Sequence, residues 1–255
     1  MKQLLFFSYG VTKSGSTLAF EFTKAALAQA GYDQPRLQCG AMIVSRKVNA
    51  VEHLDDTQAD ALLAAAAQVG HPIVLKTHTR PDPAVIRLLS SGRAQAHAVV
   101  RDPRDVALSM IDHGRRSREN GRPAFAEIHT LDDAMQGISN QFEQLTEWLT
   151  LPGVRLLRYD DLAFDSELAV RDILDHLGID GDPLEIADSV LRSSFTQFNK
   201  GIRDRHRTEM SDADSARFRM RFAPFYNRLL NEPAPPLPLG AGFRMETALG
   251  EASAA

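Results

Sequence analysis

Lys13, Ser14, Ser16 and Thr17 stand in a turn bracketed by Gly10 and Gly15, just after the apolar run 4–7 and just before Leu18, Phe22, Ala25, Ala26 and Ala30 at helical spacing. Strand, loop and helix in that order form a phosphate cradle. Successive backbone N–H groups point inward at the positive end of the helix, and Lys13 adds a full charge where a polyphosphate-like group would sit. The ligand expected there is an anion. Three further clusters follow apolar runs: Lys76-Thr77-His78, Arg101 with Ser109 eight residues later, and Tyr159-Asp160-Asp161. A His changes protonation state near neutral pH and can take a proton from a hydroxyl. A guanidinium gives a phosphate two parallel charge-assisted bonds, and a hydroxyl on the facing turn supplies a third donor. A Tyr ring can stack on a base.

The loop obeys the nucleotide-binding template G-x-x-x-x-G-K-[ST] only in part. Gly10 and Gly15 are correctly separated and Thr17 holds the hydroxyl position, but Ser16 stands where the lysine belongs and Lys13 lies inside the loop. A nucleoside-triphosphate enzyme puts that lysine on the β and γ phosphates and the hydroxyl on Mg²⁺. This sequence moves the first of those. Two alternatives stay open on these residues: a Mg²⁺-dependent P-loop kinase or nucleotidase using Asp160 or Asp161 as metal carboxylate, and a non-catalytic nucleotide-binding protein.

The elements that must position these groups alternate strand and helix. After the first strand and helix, residues 36–44 suggest a second short strand and 57–69 an Ala-rich helix. Strands are expected at 71–78, 95–100 and 154–161, with helices at 83–89, after Pro103, at 131–149, at 166–177 ending on Gly178, and from Pro183 to about 192. The stretch 113–128, rich in Arg and Gly, has no clear period and reads as a lid or acceptor loop. A last helix from about 211 carries Phe218, Phe222, Phe225 and Leu229 toward the core. The fold class expected is α/β, a P-loop-like parallel β-sheet with helices on both faces and ligands beyond the carboxyl ends of the strands. One domain over 1–231 is expected, followed by a Pro-rich, flexible tail over 232–255.

Bulk properties narrow the function classes. A net charge of −4 over 255 residues argues against a general nucleic-acid binder. Cys39 is the only cysteine, so no intrachain disulfide can form and a reducing compartment is expected. The N-terminal apolar run leads straight into the loop and reads as a strand rather than a signal peptide, and no run reaches the length of a membrane span. A cytoplasmic protein is expected. Nothing in the pattern specifies an oligomeric state.

Lys13-Ser14-Gly15-Ser16-Thr17 after a buried strand resembles the 5′-phosphosulfate loop of the sulfotransferases that use 3′-phosphoadenosine 5′-phosphosulfate (PAPS), usually Lys-Ser-Gly-Thr-Thr-Trp; Leu18 stands at the Trp place. Arg101-x₇-Ser109 is similar to the Arg and Ser that hold the cofactor's 3′-phosphate in that family. Lys76-Thr77-His78 resembles the Lys-x-His whose His removes the acceptor proton. The segment 158–162 looks like Tyr-Glu-Asp-Leu, with Tyr159 on the adenine side, and Ser193-Ser194-Phe195 resembles the adenine-contacting Thr-Ser-Phe. The family's Arg-Lys-Gly-x-x-Gly-Asp-Trp-Lys is matched here only at Lys200, Gly201 and Arg207, with Arg203 or Arg205 as candidate substitutes at the 3′-phosphate.

The resemblance implies a sulfotransferase fold with His78 as general base and Lys13 and Lys76 as catalytic cations. Ser14, Gly15, Ser16, Thr17, Arg101, Ser109, Tyr159, Phe195, Lys200 and Gly201 would bind the cofactor together with Lys13. It further implies PAPS as co-substrate with 3′-phosphoadenosine 5′-phosphate (PAP) as product, no metal, and a small-molecule hydroxyl acceptor. The acceptor pocket is expected from residues 36–53, the Arg80-Pro81 turn and 113–128.

Overall fold

The computed structural model describes residues 4–39, 43–45, 48–193 and 201–229. Four parallel strands make one sheet in the order β2-β1-β3-β4, from β1 (Leu5–Gly10), β2 (Ile73–Thr77), β3 (Ala94–Val100) and β4 (Val154–Arg158). The chain leaves β1 to one side for β2 and returns on the other side for β3. The direction of winding reverses at β1, where a doubly wound sheet opens a crevice at its carboxyl edge.

Alternation along β1 shows how both faces are covered. On one face Phe6 packs with Phe20 and Leu27 of α1 (Ser16–Gln29) and with Val74, and Ser8 bonds His97 at 2.7 Å. On the other, Phe7 and Tyr9 meet Trp148 of α5 (Leu131–Thr150), Tyr9 stacking on it at 5.1 Å. The Trp148 indole N–H donates to the Thr79 carbonyl at 2.9 Å, so the ring is buried without an orphaned donor. An unbroken apolar run is what a strand covered on both sides requires.

The connecting helices begin and end where local chemistry dictates. Asp55 with Gln58, and Thr130 with Asp133, form capping boxes at the starts of α2 (Asp56–Val69) and α5. Pro83 and Pro103 open α3 (Pro83–Ser90) and α4 (Pro103–Glu119). After β4 come α6 (Tyr159–Phe164), α7 (Ser166–Leu177) and α8 (Pro183–Arg192). The short α9 (His206–Glu209) was not expected. The described residues fall into two compact units divided between Ser211 and Asp212. The second holds α10 (Asp212–Arg221) and α11 (Ala223–Leu229), with Phe218 and Phe222 in ring contact at 5.8 Å.

Four expectations about elements are corrected. The described part of 36–44 holds no strand; the extra pairing along β2 comes from 49–51, where Lys76 exchanges backbone bonds with Asn49 and Val51. Asn49 explains the shift, since its side chain ties down Leu37 N–H and the Pro35 carbonyl. β4 stops at Arg158 because Asp160 and Asp161 favour the first turn of a helix. The first seven residues of 113–128 are helical, extending α4 to Glu119. The final helix is split in two, and Tyr226 is buried where Phe225 was expected to be. The tail over 232–255 lies outside the described residues.

Candidate active site

Parallel register brings the four strand ends level. Tyr9 pairs with Thr77, Gly10 with Val99 and Val100 with Arg158. The next residue along each strand is therefore the start of the loop, His78, Arg101 or Tyr159. Together they open on one cavity of about 230 Å³, lined by Thr12, Lys13, Gly15, Ser16, Thr17, Leu18, Lys76, His78, Arg101, Ser109, His113, Phe125 and Tyr159.

The loop is held in a shape only glycine supplies cheaply. Gly15, the N-cap of α1, has φ +88°, and a Cβ there would lie 2.8 Å from the Tyr159 ring; a Cβ on Gly10 would meet the Ser16 Cβ at 2.7 Å. With no side chain at the cap, the first-turn N–H groups of α1 are left for an anion. Thr12 fastens the loop to α5, both its N–H and its hydroxyl donating to Gln141 Oε1, at 2.7 and 2.8 Å. Ser14 turns the other way. Its hydroxyl donates to the Val11 and Val99 carbonyls and its N–H to Val11, so it supports the loop from within and does not line the cavity.

Cations crowd this space. The Lys13 ammonium contacts His113 Nδ1 at 3.1 Å, and Lys76 donates to the Thr17 hydroxyl at 2.7 Å. Burial, then the charges of Arg116 and Arg101, bring the Lys13 amine down to about 8. Burial also lowers Lys76. His78 Nδ1–H donates to the Gly10 carbonyl at 2.8 Å, which leaves Nε2 as the unprotonated nitrogen of the neutral ring. Burial, reinforced by Lys76, holds that imidazole down to about 4 against the Gly10 bond.

Arg101 is 6 % exposed. Its guanidinium lies 3.8 Å over the Tyr159 ring, 3.4 Å from the Lys13 carbonyl and 3.7 Å from Asp105, and its Nε has no hydrogen-bond partner among the described residues. Asp105 is anchored elsewhere, accepting from both the N–H and Nδ1 of His206 at 2.9 and 3.0 Å. Burial opposes its charge, but the His206 bond and then Arg101 keep its carboxyl below the usual range. Ser109, in the second turn of α4, opens on the same cavity.

Of the expected site residues, the cavity therefore gathers Lys13, Gly15, Ser16, Thr17, Lys76, His78, Arg101, Ser109 and Tyr159. Tyr159 meets Arg101 and the loop glycine rather than standing clear as a stacking platform. Gly201 takes a left-handed φ of +61° but does not line the cavity. Phe195 and Lys200 lie outside the described residues. Arg205 is committed to Asp112 at 2.8 Å and Glu209 at 2.7 Å, and Arg203 covers the Phe164 ring at 4.6 Å. Arg207 pairs with Asp204 at 3.1 Å. Burial raises the Asp160 carboxyl, toward the protonated form that a metal ligand would have to lose. The part of 113–128 that reaches the cavity is His113 and Phe125. His113 was legible in principle, since it sits one helical turn past Ser109 once α4 is allowed to run on.

The sulfotransferase domain model matches residues 6–225 of this chain. No curated protein matches it. Among solved structures the chain is similar to retinol dehydratase in complex with androsterone and inactive cofactor PAP, at 14% identity and TM-score 0.59, over 89% of this chain and 82% of that one. It is similar also to a mouse sulfotransferase complexed with PAP, at 14% identity and TM-score 0.54, over 89% and 86%. A complex of retinol dehydratase with retinol and PAP matches at 16% identity and TM-score 0.50, over 89% and 82%. At these identities the likeness is one of fold. Among the described residues no helix is long and apolar enough to cross a membrane.

Proposed function

The chain belongs to the sulfotransferase domain family, and from that premise we propose that it transfers a sulfuryl group from PAPS to a hydroxyl of a small-molecule acceptor, with His78 as general base. The observation that carries the reading is Arg101: a guanidinium 6 % exposed, with an orphaned Nε and its nearest carboxylate 3.7 Å away, at the edge of a cavity it shares with Lys13 and Lys76. Buried cations need anions, and the planar fork of Arg suits a phosphate. The glycine-built loop fits the same ligand, since a Cβ at Gly10 or Gly15 would clash with Ser16 or Tyr159 and force the loop out of the shape that points its N–H groups inward.

Arg101 and Ser109 hold the 3′-phosphate in this reading, and the N–H groups of Gly15, Ser16 and Thr17 hold the 5′-phosphate end. PAPS, when bound, supplies an electrophilic sulfuryl group on a phosphate leaving group. Lys13 and Lys76 set positive charge beside that group, where charge shifts toward the departing phosphate. His78 is held by Gly10 with Nε2 ready to take the acceptor's proton. Its lowered basicity keeps it neutral at pH 7, the state a base requires. Lys200 and Phe195 would complete the cofactor site. The small-molecule character of the acceptor is supported by neighbours solved with androsterone and with retinol.

The test is calorimetric titration with PAP, and separately with Mg-ATP, followed by transfer from labelled PAPS to a panel of phenols, alcohols and sugars. Micromolar or tighter PAP binding that needs Arg101, with label reaching a hydroxyl, is the expected result. Mg-ATP binding without PAP binding would overturn the reading in favour of a kinase, and PAP binding without transfer would leave a nucleotide-binding protein.

A further inference from the structure

His113 lies four residues beyond Ser109 on the cavity face of α4, and its Nδ1 contacts the Lys13 ammonium at 3.1 Å. An ammonium has no lone pair, so Nδ1 must accept and Nε2 must carry the ring proton. The imidazole is itself held from behind. Phe125 meets it edge to face, centroids 5.1 Å apart, and the Phe125 backbone is fixed in the left-handed region at φ +60°.

The loop that carries Phe125 is fastened to α4 by two devices. Arg118 donates to the Ala126 and Ile128 carbonyls at 2.9 and 3.0 Å. At Gly114 the loop backbone comes so close that a Cβ would clash with the Phe125 and Ile128 carbonyl oxygens. Gly114, Arg118, Phe125 and His113 thus form one packed train that ends on the amine of Lys13.

We propose that His113 is a positioning residue: it fixes the Lys13 amine toward the sulfuryl end of the donor, and the 121–128 loop acts on the site through Phe125. This rests on the sulfotransferase reading. It assigns the loop a task at the donor, beyond the acceptor wall expected for it. Lys13 carries its ammonium on a flexible four-carbon stem, and the hydrogen bond to Nδ1 restrains it before the donor arrives, which is preorganisation of a charge.

PAP and PAPS differ only in the sulfuryl group, so the ratio of their dissociation constants isolates that end of the site. Both are titrated into the full chain, its His113→Ala and His113→Asn variants, and each of these in a Lys13→Met background. In His113→Ala, PAPS affinity is expected to fall about 10-fold while PAP affinity stays within about 2-fold, the size of one charge-assisted hydrogen bond. His113→Asn, whose Oδ1 falls near the place of Nδ1, restores most of the loss. Phe125→Ala shifts the ratio in the same direction by about 3-fold. In the Lys13→Met background none of these substitutions moves the ratio.

An unchanged ratio in His113→Ala, or an equal loss with and without Lys13, overturns the inference. Failure of the unsubstituted chain to bind either nucleotide overturns the sulfotransferase reading instead, so the two failures are distinguishable.

Discussion

The ring of His78 hangs from the carbonyl of Gly10, Nδ1–H to oxygen at 2.8 Å, so the candidate base is fastened to the first residue of the loop that faces the donor. Neighbouring strands make this possible. Tyr9 and Thr77 are register partners, and the residues just past them meet at the sheet edge. A base and a phosphate loop far apart in sequence share one hydrogen bond.

Replacing His78 by Ala is expected to lower sulfuryl transfer about 100-fold or more while PAP affinity stays within about 3-fold. The pH profile carries the sharper signature. With the ring held down to about 4, the base remains unprotonated well below the ordinary histidine range, so kcat/KM should keep its value down to about pH 5 and fall with an acid limb near pH 4. A limb near 6.5 would mean that burial does not hold the ring down in the working enzyme.

Arg101 should be intolerant of conservative change. Lys keeps the charge but loses the fork and the stacking over Tyr159. PAP affinity is expected to fall about 10-fold in Arg101→Lys and about 100-fold in Arg101→Ala, read by calorimetry. Equal affinity in all three proteins would remove Arg101 from the phosphate site.

Gly15 and Gly92 both hold positive φ, +88° and +67°, but only Gly15 has a neighbour in the way. Gly92→Ala carries the left-handed strain alone, about 1–2 kcal/mol, and should leave PAP binding intact. Gly15→Ala adds the clash with Tyr159, so thermal unfolding should come earlier than in Gly92→Ala and PAP affinity should drop as well. Matching melting temperatures for the two variants would contradict the close approach seen here.

Stability should decline on acidification from about pH 6.5. His97 is fully buried between Ser8 and Thr23, and burial holds its pKa down to about 3 against an ordinary 6.5. Between those values the unfolded chain binds the proton and the folded chain does not, so stability is fully present above 6.5 and is lost as pH falls toward 3. The slope is at most about 1.4 kcal/mol per pH unit for each such group. His97→Gln, which cannot titrate, should flatten the urea-midpoint profile over that range; an unchanged slope would place the effect in other groups.

Much of the site could be read from residue types because it is built from strand ends. An apolar run followed by polar residues declares both a buried strand and the place where the chain emerges from it, which is why Lys13, Lys76, His78, Arg101 and Ser109 could be named in advance. The segment 113–128 resisted, since its helical half buries Gly114 and Ser117 where a period would show apolar residues, and its loop half is held by Arg118 and by a carbonyl approach at Gly114. The Arg-rich C-terminal stretch misled for a related reason. Arg205 looks like a phosphate ligand by type, yet Asp112 and Glu209 claim it.

By itself the sequence determined the alternation of strand and helix, the glycine-bracketed loop and the kinds of side chain at each strand end, because burial period and turn chemistry are local properties. Only the tertiary structure decided which groups face one another: Ser14 turned inward, Tyr159 beneath Arg101, His113 and Phe125 brought onto Lys13. Those choices depend on strand order and register, on how far α4 runs before it ends, and on which carboxylate reaches each cation first. They are set by contacts between residues a hundred positions apart, where no sequence period extends.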